Sequence, residues 1–94
     1  GPVVLDSNTY TVSRGEQVLE LPKKEFELLY KLLSYPGQIF TRNQLLDDIW
    51  GFDSESGEDT VKTHISRLRN KLRSIEEFRI ITIKGLGYKA EVLE

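Results

Sequence analysis

Between Thr60 and Arg73 the chain reads TVKTHISRLRNKLR, and Lys62, Arg67, Arg69, Lys71 and Arg73 stand there with no acid from Thr60 to Ile75. Five of the thirteen basic residues fall within positions 62–73. The whole chain has a formal charge of −2, so the +5 of this window leaves −7 on the rest. Cations gathered on one stretch of an otherwise acidic chain point to a local anionic partner. A merely solvated helix face normally mixes signs, because Glu–Lys pairs at i, i+4 add stability. Here the cations repel one another, and phosphates would supply the missing charge. The Ser, Asn and Arg side chains among them are of kinds that reach base edges in a major groove. The segment therefore favours nucleic-acid binding over a plain solvated surface.

Helical spacing sharpens that reading. At about 100° per residue, Val61, Ile65, Leu68 and Leu72 share one narrow arc, which predicts the buried face. The opposite pole carries Thr63, Ser66, Arg67 and Asn70, the candidates for reading bases. Lys62, Arg69 and Arg73 lie on one flank, and His64 and Lys71 on the other. These flanking residues are the candidates for holding the phosphate backbone.

Other chemistry lacks parts. The chain has one histidine and no cysteine, too few for a zinc site or a nucleophilic triad. Asp47-Asp48 and Glu58-Asp59 are adjacent carboxylates without a partner acid, so no enzyme is expected. GLGYKA (85–90) fits a dinucleotide fingerprint in letters only, since the motif needs a following helix and a distant acid. DSESGE (53–58) has its glycine one place early for a calcium loop, and His64 stands where the closing glutamate belongs. No cofactor and no metal are expected. No apolar run approaches the roughly 18–20 residues of a spanning helix.

The elements that must position the basic helix are legible in outline. Ninety-four residues suit one small core, and a single domain over 1–94 is expected. There is no methionine at position 1, and Gly1-Pro2 is read as a cleavage scar without a structural role. VVL (3–5), TYTVS (9–13) and QVLEL (17–21), separated by DSN and RGE, predict a small antiparallel sheet. Phe26, Leu29, Tyr30 and Leu33 fall at helical spacing between Pro22 and Pro36-Gly37. Lys23 and Lys24 at its start are read as solvated. QIF (38–40) is a short strand. Thr41, with Gln44 three residues on, caps a second helix whose apolar face is Leu45, Leu46, Ile49 and Trp50. The stretch 52–59 is acidic and aperiodic, a loop ending in Asp59 as the cap of the basic helix. FRIITIKGLGYKAEVL (78–93) predicts a β-hairpin bearing Arg79, Lys84 and Lys89, with glycines at its tip. A helix pair followed by such a hairpin is a winged helix, with 60–73 as the recognition helix.

Three stretches, KKEFELLYKLLSYPGQIFTRNQLLDDIWG, DTVKTHISRLRNKLR and IITIKGLGYK, occur in that order over nearly the whole chain. Together they resemble the C-terminal DNA-binding domain of OmpR/PhoB-type response regulators. The resemblance implies an α+β winged helix-turn-helix: a four-stranded N-terminal sheet, three helices and a C-terminal wing over 79–92. It implies sequence-specific binding to double-stranded promoter DNA, usually as tandem copies on direct repeats, in a cytoplasmic two-component system. A phosphorylatable receiver domain precedes this one in the family, and its acidic pocket is not among these residues. An effector domain alone is therefore expected, monomeric without DNA.

Residue by residue, Arg67, Arg69 and His64 match family positions of the recognition helix. Arg42 and Trp50 match positions that approach the backbone, although Trp50 also suits the core. Lys84 matches the basic wing residue, while Leu86 replaces a hydroxyl found in some wings. Ser66 stands where many relatives carry a longer side chain, so base preference does not transfer. Pro22 stands in place of a capping Thr. The loop containing Phe52, Asp53 and Glu55 matches a surface for RNA polymerase. The alternative is a winged-helix protein-interaction module without specific DNA binding.

Overall fold

The computed structural model describes residues 3–51 and 58–93. β1 (Val3–Asp6), β2 (Thr11–Arg14) and β3 (Gln17–Glu20) form an antiparallel meander. Its register pairs Leu5 with Val12 and Val12 with Leu19, so these three share one face and Val12 is fully buried. Val4 and Val18 lie on the other face and stay exposed. Period-two alternation thus sets which side meets the helices.

α1 (Lys23–Ser34) starts after Pro22, which makes no side-chain cap bond. The expected stripe was one edge of a wider apolar arc. Phe26 and Leu29 are buried, but Leu28 and Leu32 are fully buried too, Leu33 is only partly so, and Tyr30 is 47% exposed. The arc is wide because α1 packs against α2, α3 and β6. Glu25 lies inside it, 2% exposed.

α2 (Arg42–Trp50) has both bonds of the predicted capping box: Gln44 N–H donates to Thr41 Oγ1 (3.1 Å) and Thr41 N–H to Gln44 Oε1 (2.8 Å). Gly51 ends it, donating its N–H to the Asp47 and Leu46 carbonyls. α3 (Glu58–Lys71) buries Val61, Ile65 and Leu68 as their spacing predicts, and Leu72, one residue past its end, is buried in line with them. It begins and ends two residues earlier than expected. Asp59 is consequently within the first turn rather than ahead of it, where its charge still suits the helix dipole.

The wing is β5 (Phe78–Ile83) and β6 (Gly87–Val92). The expected fourth strand of the N-terminal sheet is instead β4 (Phe40–Thr41), which pairs with β6 in a second three-stranded sheet of order β4-β6-β5. Two glycines at the hairpin do different work. Gly85 turns the chain at φ +75°, a conformation that strains any residue with a side chain. Gly87 is within β6, and a Cβ there would lie 1.9 Å from the Phe40 carbonyl oxygen. Only glycine lets β4 close on the wing. The wing is thereby tied to the start of α2, and the helices share one core with it through Phe78, Ile80, Tyr88 and Ala90.

Candidate nucleic-acid interface

With its apolar stripe facing α1 and α2, α3 turns Lys62, Thr63, Ser66, Arg67 and Asn70 to solvent, and Arg73 is exposed just after it. None of these six side chains has an ion pair or hydrogen bond with another described residue. Asp59 shares a shallow surface depression with Lys62, Thr63, Ser66 and Arg67, so one acid borders the basic face at its N-terminal end. The predicted outward pole is intact, and its donors are uncommitted.

The other two cations of the segment are committed. Lys71 Nζ donates to Glu25 Oε1 of α1 at 2.7 Å, giving the buried carboxylate its countercharge. Arg69 reaches the other way, to the Ile80 carbonyl and the Thr82 hydroxyl of β5. No acid stands from Thr60 to Ile75, yet neighbouring elements supply acceptors for two of the five cations in that stretch. Nothing local in the sequence announces those partners. The one available signal was Glu25, a carboxylate in register with Leu28, Leu29 and Leu32.

His64 is half-buried between the helices. Its Nδ1 lies 2.7 Å from the Thr60 carbonyl oxygen and so carries the proton, and its ring meets the edge of Trp50 at 4.8 Å. Trp50 closes α2 and is itself half-buried, while Arg42 opens the same helix. Lys24 is not simply solvated: its Nζ donates to the Ile49 carbonyl oxygen (2.7 Å) near the end of α2.

On the wing, Lys84 is exposed at the turn beside Leu86, which is 46% exposed. Lys89 is half-buried on β6, and neither lysine is paired with a described residue. Arg79 faces Glu91 across the hairpin at 3.4 Å. Phe52, Asp53 and Glu55 lie outside the described residues. Among those described, no group of three or more His, Cys, Asp or Glu side chains could hold a metal ion, and no helix is long and apolar enough to cross a membrane.

Residues 15–90 match the family model described as "Transcriptional regulatory protein, C terminal". The chain belongs to this family. The transcriptional regulatory C-terminal domain is 42% identical over 92 residues to the heme response regulator HssR of Staphylococcus saprophyticus, covering 97% of this chain and 41% of that protein. It thus spans about two fifths of the length of the curated relatives it matches. Two solved structures share the fold. The AdeR DNA-binding domain, in complex with an intercistronic region, is 27% identical with a TM-score of 0.82, over 99% of this chain and 97% of that one. The Klebsiella pneumoniae RstA DNA-binding domain, in complex with the RstA box, is 31% identical with a TM-score of 0.80, over 97% and 92%. The domain is a winged-helix effector domain of the response-regulator class, as its resemblance to the OmpR/PhoB type implied.

Proposed function

We propose that this domain binds double-stranded promoter DNA sequence-specifically, as the output of a cytoplasmic two-component regulator. α3 enters the major groove, which at roughly 12 Å wide admits a helix, and the β5–β6 wing lies on adjacent backbone or minor groove. The observation that carries this reading is the outward face of α3, whose donors and cations have no partner among the described residues. Thr63, Ser66, Arg67 and Asn70 read bases. Lys62, His64, Arg73, Lys84 and Lys89 hold phosphates, with Arg42 and Trp50 beside them. Arg69 and Lys71, expected on the backbone, already bond within the domain and take structural roles in this proposal. Copies that are monomeric in solution line up on direct repeats. A preceding receiver domain controls them, and Phe52, Asp53 and Glu55 face RNA polymerase.

The test separates reading from holding. Arg67 presents a planar fork suited to guanine O6 and N7, whereas Lys84 is a flexible point charge suited to phosphate. On a duplex selected from random DNA, Arg67→Ala should cost about 1–3 kcal/mol, with little loss on a scrambled duplex. Lys84→Ala should weaken both alike and lower the salt slope by about one ion. Equal losses from Arg67→Ala on both duplexes would move base reading to Thr63, Ser66 or Asn70. If the domain selects no duplex and shows no salt-dependent shift, the protein-interaction module is the better reading.

A further inference from the structure

β5 is the outer strand of the wing sheet, and Ile80 in it pairs with Ala90. Ala90 turns its carbonyl the other way, to the N–H of Gly37 at 2.7 Å. Both backbone groups of a residue in an antiparallel ladder point to the same side, so Ile80–Ala90 is a non-hydrogen-bonded pair. The Ile80 carbonyl therefore faces the free edge of the sheet, on a residue only 8% exposed. A buried edge carbonyl needs a donor.

Arg69 supplies it from the recognition helix. Its Nη2 donates to the Ile80 carbonyl oxygen at 2.8 Å and its Nε at 3.3 Å, while Nη2 also lies 2.7 Å from Thr82 Oγ1. One guanidinium thus grips two successive outward positions of the wing strand. A cleft of about 290 Å³ opens between the end of α3 and β5, over Leu72, Ile75, Phe78 and Ile80, and Arg69 forms part of its wall.

We infer that Arg69 is a positioning residue, which sets the recognition helix and the wing at the distance and angle that let both engage one duplex. This inference rests on the DNA-binding reading and changes the role of a residue whose type and place suggest a phosphate clamp. The two roles demand different chemistry. A clamp needs positive charge, which lysine keeps. The brace needs a planar fork reaching two acceptors, which lysine cannot reproduce.

The experiment compares wild type, Arg69→Lys and Arg69→Ala, each with and without Lys84→Ala, on the selected duplex. Arg69→Lys should bind as weakly as Arg69→Ala, both about tenfold below wild type, because a charge-assisted bond to the backbone is lost in each. In the Lys84→Ala background, where the wing no longer grips, the same change should cost about twofold or less. Amide exchange without DNA should quicken in β5 and β6 of both variants while α1 is unchanged. Wild-type binding by Arg69→Lys, losses that multiply with Lys84→Ala, or unaltered exchange in the wing would each overturn the brace. Should wild type bind no duplex, the DNA reading fails, and wing exchange alone then decides for or against Arg69.

Discussion

Arg67 and Arg69 are two residues apart on one helix and have opposite surroundings. Arg67 is exposed, with no side-chain partner among the described residues, whereas Arg69 is bonded to β5. Two positions on a helix differ by about 200° in direction, so identical side chains face different neighbours. Arg69 lies close to the apolar arc and reaches the adjoining strand; Arg67 lies well away from it. Lys71 repeats the pattern on the other flank, where α1 offers Glu25. A cation's role on this helix therefore follows its angle to the buried stripe and what that angle brings near. Residue type alone does not assign it.

The largest effect should come from the stripe beneath both groups. Leu68 is fully buried in the shared core. Leu68→Ala should cost about 2–5 kcal/mol, as large-to-small core changes do. Chemical denaturation would register this as a lower midpoint at unchanged slope. An unmoved midpoint would mean that α3 presents another face inward, and the contrast between Arg67 and Arg69 would lose its geometric basis.

Next in size is the contrast between committed and uncommitted cations. Lys71→Ala leaves the Glu25 carboxylate buried without its countercharge. Losing one partner of a fully buried pair costs about 3–5 kcal/mol, but Lys71 is itself 39% exposed, so about 1–3 kcal/mol is expected. Arg67→Ala removes only a solvated side chain and should stay within about 0.5 kcal/mol of wild type. Replacing both partners, as Lys71→Met with Glu25→Gln, should recover much of the loss because no ionised group then remains buried. Thermal melts of the four proteins test the set. Equal losses from Lys71→Ala and Arg67→Ala would erase the distinction between them.

This division explains what could be read from the sequence. The α3 stripe, the Thr41–Gln44 capping box and the Gly85 turn are local patterns, each fixed by residues a few positions apart, and all three are found in the fold. The width of the buried arc of α1 is not legible from its own spacing, because its neighbours are distant in sequence. With α2, α3 and β6 around it, the buried arc widens past Phe26 and Leu29 to Leu28 and Leu32, leaving Tyr30 half out. The fates of Arg69 and Lys71 were hidden for the same reason, since their acceptors lie 11 and 46 residues away. The outward pole of α3 was legible because it required only helical periodicity.

The smallest expected effect is an ion pair that matches Lys71–Glu25 in distance and differs in burial. Arg14 Nε lies 2.6 Å from Glu77 Oε2, joining β2 to the segment before β5, with 42% and 22% of the two side chains exposed. The hydrogen bond from Arg14 holds the Glu77 carboxyl below its ordinary value of 4.5, and backbone donors at Glu76 and Glu77 reinforce it. A carboxyl whose pKa is lowered by folding stabilises the fold above its unfolded value and loses that contribution as pH falls through the folded value. Glu77→Gln should therefore be slightly less stable than wild type at neutral pH, and the gap should close as pH drops below the ordinary carboxylate range. Concentrated salt should also shrink the gap, because solvent and ions reach this pair, while the Lys71→Ala loss should largely persist. Melting midpoints across a pH series at low and high salt would test both statements. A gap that widens in acid would reverse the sign and show that the carboxyl is not held down by Arg14. A neutral-pH gap as large as that of Lys71→Ala would show that distance, and not burial, governs these pairs.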